Sequence, residues 1–98
     1  MFDISTVNKR YFNIKLSETV LDVEPPKLKA LKKITSLRKS GNENEIEDLC
    51  EAIQMILNKN KTGYIVSMGI IEELDLDQMN EILTAYFAWI NGEKNNPN

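Results

Sequence analysis

The side chains in this sequence with chemical potential are carboxylates, lysines, one thiol and a run of aromatics; histidine is absent. Without an imidazole the chain lacks the group that most often moves protons near neutral pH and most often ligates metals. A nucleophilic triad and a zinc site are therefore not expected. Cys50 is the single cysteine, so an internal disulfide is impossible, in keeping with a reducing cytoplasm. It falls on the apolar stripe of a helix, where a thiol behaves as a small hydrophobe, and a catalytic thiolate would need a base that the sequence does not supply. The acidic groups Glu43 to Asp48 and Glu72 to Asp77 lack the glycine and terminal glutamate of an EF-hand loop and read as acidic helix starts. Lys61-Thr62-Gly63 has the composition of a phosphate loop without its preceding glycine. The expectation is a protein that is not an enzyme, with no catalytic residue, no metal and no cofactor.

Binding chemistry is better represented. Six of the twelve Lys and Arg lie between residues 27 and 41 with no acid among them, so the other six face all fifteen acids and the rest of the chain carries a net charge of −9. Lys29, Lys32, Lys33 and Lys39 fall on one side of a helix and are the candidates for electrostatic docking of an acidic protein. Nucleic acid is disfavoured as a partner, because no aromatic interleaves with these lysines and the remainder of the chain is acidic. Tyr86-Phe87-Ala88-Trp89-Ile90 is a second candidate. If Tyr86 and Ile90 mark the core direction, Phe87 and Trp89 project to either side, and one of them is expected at the surface as a partner anchor. Met55 lies opposite the stripe of its helix and suits an adaptable contact. Phe87, Trp89, Tyr86 and Met55 are the candidate partner-binding residues.

These groups must be positioned by a small scaffold of 98 residues, 42% apolar and 28% charged, which is enough for one core. The expected organisation is a single domain over residues 1–92 with a disordered tail over 93–98. An irregular N-terminal arm, with Phe2 and Ile4 docked on the body, leads into two alternating segments. Phe12, Ile14 and Leu16 alternate with polar residues, and Leu21 and Val23 do the same after a Ser17-Glu18-Thr19 turn, the pattern of a β-hairpin. Pro25-Pro26 ends it and can open a helix from Lys27 to Lys39, stopped by Gly41, with Leu28, Leu31, Ile34 and Leu37 on its apolar side. A second helix, capped by Asn42 or Asn44, carries Ile46, Leu49, Cys50, Ile53, Ile56 and Leu57 at helical spacing, with Asn58 to Gly63 as its stop. Ser67 caps a short third helix. Asp75 and Gln78 form a capping box for a fourth, with Gly92 at its end. The fold class is α+β, mainly α: an N-terminal β-hairpin followed by three to four helices packed on one core. Apolar runs are too short to span a bilayer, and no secretion signal is visible, so the expected location is the cytoplasm. Eleven Asn, eleven Ile and ten Lys against two Arg favour A- and T-rich codons.

In order and length the chain resembles the tail assembly chaperones of long-tailed, siphovirus-type bacteriophages and prophages of Gram-positive bacteria. The resemblance covers nearly the whole chain. It is carried by Tyr11-Phe12-Asn13-Ile14-Lys15-Leu16, the prolines after the second strand, Leu28-x-x-Leu31-x-x-Ile34, and Glu47-Asp48-Leu49-x-x-Ala52-Ile53-x-x-Ile56-Leu57-Asn58-Lys59-Asn60-Lys61. Ile70-Ile71-Glu72-Glu73-Leu74-Asp75-Leu76-Asp77 and Met79-x-x-Ile82-Leu83-x-x-Tyr86-Phe87-x-Trp89-Ile90-Asn91 complete it. The resemblance implies a non-enzymatic chaperone in the bacterial host cytoplasm that binds amphipathic helices of the tape measure protein and keeps them soluble during tail tube assembly. It also implies self-association into a homo-oligomer and contact with the tail tube protein. Many such genes yield a longer product by ribosomal frameshifting, and Glu93-Lys94-Asn95 is compatible with a slippery codon run. The alternative reading is a small phage or mobile-element DNA-binding regulator that uses the basic helix 27–39.

Overall fold

The computed structural model describes residues 1–4, 10–39 and 44–92. Its elements run β1 (Phe12–Leu16), β2 (Thr19–Val23), α1 (Leu28–Arg38), α2 (Glu45–Asn58), α3 (Met68–Ile71) and α4 (Leu76–Ile90). The fold is thus α+β and mainly helical, with the hairpin ahead of the helices. The expectations for Gly41, Asn42 and the tail over 93–98 lie outside the described residues.

β1 and β2 pair antiparallel, with Phe12 opposite Val23 and Leu16 opposite Thr19. Alternation buries Leu21 and Val23 and half-buries Phe12, Ile14 and Leu16 against the core. The connection is two residues, Ser17-Glu18, because Thr19 has joined the ladder. Ser17 has φ 56° and is the one described non-glycine residue with positive φ. A positive φ at the first central position alone is the II′ pattern, whose twist matches the strands and whose preferred residue there is glycine. Ser17→Gly should therefore stabilise the fold by about 0.5–1 kcal/mol, as relief of the side-chain clash outweighs the added freedom of the unfolded chain. A melting curve should rise by roughly 2–8 °C. An unchanged or lower midpoint contradicts this account of the turn.

The outer edge of β2 is covered by the segment that follows α2. Glu24 N–H donates to the Lys59 carbonyl at 2.8 Å and Lys61 N–H to the Asp22 carbonyl at 2.9 Å, so three residues act as a short third strand. The helix just before it is the hub. α2 buries Leu49, Ala52, Ile53, Ile56 and Leu57 and packs against α1, α3, α4 and β2. α1 contributes Ile34 and Leu37; α4 contributes Met79, Leu83 and Tyr86.

Local signals set three helix ends, whereas α1 and α2 start at Lys27 and Asn44 with no side-chain cap hydrogen bond. Ser67 Oγ accepts from Ile70 N–H at 3.3 Å, starting the single turn of α3. Asp75 Oδ1 accepts from Gln78 N–H at 2.8 Å while Gln78 Oε1 accepts from Asp75 N–H at 2.9 Å, a reciprocal capping box. Gly92, at φ 75°, follows α4 and donates to the Trp89 carbonyl at 3.0 Å, closing the helix in the left-handed conformation that glycine adopts without strain.

Four apolar residues expected against the core are exposed. Leu28 and Ile46 share the phase of their helices' buried stripes, yet they are 68% and 62% exposed, because each sits in a first turn that overhangs the core. Phe2 and Ile4 are exposed as well, and the N-terminal side of the hairpin is tied to the body through Arg10 instead. Among the described residues no helix is long and apolar enough to cross a membrane.

Candidate functional site

The aromatic end of α4 is mostly an inward structure. Tyr86 is 1% exposed; its ring meets Phe12 and Phe87 edge-on, each at 5.7 Å. Trp89 lies 5.7 Å from Phe12 and 5.8 Å from Tyr86. Ionising the Tyr86 hydroxyl would put a phenolate among apolar groups, and burial accordingly pushes its pKa far above the usual tyrosine range. Tyr86 presents no surface to a partner and belongs to the core. Phe87 and Trp89 remain half-buried at its rim.

Each rim aromatic is roofed by an arginine. The Arg38 guanidinium carbon stands 4.7 Å from the centre of Phe87, and that of Arg10 stands 4.8 Å from Trp89. Arg10 Nη1 also donates to the Trp89 carbonyl at 2.9 Å. These are the chain's two arginines, in a composition that otherwise uses lysine. A planar guanidinium stacks on a ring and still donates in its own plane, which an ammonium does not do. The rarity of arginine was the signal for this role, missed when Arg38 was counted only as one more charge of the basic helix.

Met55 and part of the lysine face come together elsewhere. The N-terminal half of α1 lies against the C-terminal half of α2, leaving an open cleft of about 540 Å³ lined by Lys27, Lys29, Ala30, Lys33, Met55 and Lys59. Met55 is half-buried against the core rather than fully outside, and with Ala30 it supplies the apolar floor. Lysine stems extend that floor while their ammonium groups stand at the rim. Lys32 and Lys39 are exposed but do not line the cleft, so the four-lysine face divides into two that share a site and two that do not. Lys59 Nζ lies 3.4 Å from Glu24 Oε1, the one ion pair found among the described residues.

No family model, curated protein or solved structure matches the chain. Its function must be argued from its own surfaces. A cleft of opposite sign lies at the other end of α2, where Ile46, Cys50, Ile71, Leu74 and Met79 meet Glu72. Cys50 is half-buried there; burial first, then the charges of Glu72 and Glu47, push its thiol pKa up, which disfavours the thiolate. Among the described residues no three His, Cys, Asp or Glu side chains converge as a metal site would require.

The segment between α2 and α3, expected only as a helix stop, carries buried and half-buried side-chain hydrogen bonds that no local spacing signals. Asn58 Oδ1 accepts from Val66 N–H at 2.6 Å and its Nδ2 donates to the Val66 carbonyl at 3.2 Å. Asn60, buried, donates from Nδ2 to the carbonyls of Leu57 and Tyr64 at 2.7 and 2.8 Å and accepts from Tyr64 N–H at 2.8 Å. Two asparagines thereby hold this connection to the end of α2, on which Lys59 and the cleft depend.

Proposed function

We propose that this chain is a non-enzymatic tail assembly chaperone that acts in the bacterial host cytoplasm, where it binds amphipathic helices of the phage tape measure protein and keeps them soluble while the tail tube assembles. The family likeness lies in the order of its segments. The observation that carries the binding step is the open cleft between α1 and α2, with an apolar floor of Met55 and Ala30. A groove between two packed helices accepts a third helix by burying its apolar side chains between theirs. Half-buried Phe87 and Trp89 are a secondary contact, available only where their arginine roofs move aside. Contact with the tail tube protein and self-association extend the same role.

Co-production of this chain with the tape measure protein of its own phage should hold that protein in the soluble fraction. Met55→Gln, which keeps length and replaces an apolar floor with a polar one, should lose most of that effect with an unchanged circular dichroism spectrum. Precipitation of the tape measure protein with and without the wild-type chain would overturn the reading.

A further inference from the structure

We propose that the cleft between α1 and α2 selects acidic amphipathic helices: an apolar side chain seats over Met55 and Ala30, and carboxylates about one turn apart pair with Lys29 and Lys33. The inference rests on the binding role above only in using that cleft as the docking surface; it concerns the chemistry of the occupant, whichever protein supplies it.

Charge complementarity is the first argument. Four of the six residues that line the cleft are lysines and none is an acid. Lys29 and Lys33 are four residues apart on α1, hence neighbours on one helix face, a spacing that matches Glu or Asp four apart on an approaching helix. Among the described residues neither has an acidic partner. The end of the cleft adds a second positive feature. Lys27 is the N-cap of α1, which has no acidic residue in its first turn and no side-chain cap, so the positive end of the helix dipole adds to the lysines there. The chain itself shows what belongs there: its own Glu24 carboxylate sits against Lys59 at that end.

The apolar floor decides between a protein and a nucleic acid. A polyanion would meet Met55 and Ala30 with phosphates, gaining charge pairs while covering an apolar surface with a hydrated one. No ring lines the cleft to stack a base, and outside residues 27–41 the chain carries net charge −9, which repels an extended duplex. A short acidic helix uses both floor and rim and reaches no further than the positive region. A second copy of this chain offers one such helix, the start of α2 with Glu45, Glu47, Asp48 and exposed Ile46, and is a competing occupant that the experiment separates.

The test uses the full chain and labelled helical peptides of about 18 residues, long enough to hold a helix. One carries a leucine stripe flanked by Glu pairs four apart, one has Lys in place of Glu, and one keeps the Glu pairs without the stripe. Fluorescence anisotropy should show the first binding at least about tenfold tighter than either other peptide, with affinity falling between roughly 50 and 300 mM salt. Lys29→Glu with Lys33→Glu should weaken the acidic peptide about tenfold and favour the lysine peptide. Glu24→Gln, which frees Lys59, should tighten it about two- to threefold. Lys32→Glu with Lys39→Glu changes net charge equally off the cleft and should leave affinity within about twofold. Equal weakening by the two double variants overturns the proposal, as does tighter binding of duplex DNA than of the acidic peptide at about 150 mM salt. Concentration-dependent self-association abolished by Lys29→Glu with Lys33→Glu, without peptide binding, makes a second copy the occupant and overturns it too. Peptide binding with no rescue of the tape measure protein would sink the tail assembly reading alone, and rescue without peptide selectivity would sink the cleft chemistry alone.

Discussion

Asn60→Asp should cost about 3–5 kcal/mol at neutral pH, a large part of the roughly 5–15 kcal/mol that holds a domain of this size together. The exchange is nearly isosteric, so packing does not explain the loss. The Asn60 amide nitrogen donates to two carbonyls, those of Leu57 and Tyr64, at 2.7 and 2.8 Å, and its residue is buried. A carboxylate there turns two donated hydrogen bonds into two oxygen–oxygen contacts and places a charge at a site largely closed to water. Protonation restores one donor. The introduced carboxyl, ordinarily near pH 3.9 in an unfolded chain, is held above that value in the fold. Its neutral form is the one the fold tolerates, so the penalty is smallest below about pH 4 and grows as pH rises through the unfolded value. Urea unfolding at about pH 4 and pH 7 should separate wild type from variant more widely at the higher pH. Asn60→Ala, which also destabilises but adds no titrating group, should show no such widening; if it widens equally, the account of the site is wrong.

The consequence would reach beyond the connection. Lys59 and Lys61 make the backbone bonds that cover β2, and Lys59 also stands at the end of the lysine cleft. Loosening Asn60 should therefore release the hairpin edge and one cleft residue together. Chemical exchange of the Glu24 and Lys61 amides should accelerate before that of the α2 core.

What the amino-acid pattern revealed, and what it concealed, divides by range. The α2 stripe and the Asp75/Gln78 box are written in residues three and four apart; the box stands as read, and the stripe holds from Leu49 to Leu57, with Cys50 half-buried and Ile46 exposed in the first turn. The hairpin was legible from alternation, while its turn was misjudged by one residue because Ser17-Glu18 lacks the Gly or Asn that marks a II′ turn. Asn58 to Gly63 reads locally as a helix stop, and it is one. Its buried amide bonds to Tyr64 and Val66 depend on how the chain doubles back, which no local spacing states. The lysine face failed for the same reason. Helical phase groups Lys29, Lys32, Lys33 and Lys39, but which of them share a site is set by where α2 packs, and Lys59 joins from another helix altogether.

Tyr86→Ala should remove about 3–5 kcal/mol, whereas Met55→Ala should remove less than about 1.5 kcal/mol. Both positions were candidates for partner contact, and the contrast decides which one faces outward. Truncating Tyr86 deletes a ring that three others lean on, Phe12, Phe87 and Trp89, and leaves a void at the junction of α4 with β1. Two of those rings, Trp89 and Phe87, are pinned from outside by Arg10 and Arg38, so they have little freedom to collapse into the gap, and a cavity that does not collapse carries its full cost. Met55 is half-buried at the lip of an open cleft, where water or neighbouring stems fill the space it vacates. Chemical denaturation of the two variants measures this directly. If Tyr86→Ala kept near wild-type stability while losing client binding, the aromatic end would be the docking surface. With the expected order, polar replacement of Phe87 and Trp89 tests folding as much as binding, since it strips two rings from the cluster that Tyr86 anchors. The clean probe of docking is then Met55 and its lysine rim, where side chains change the surface and leave the core standing.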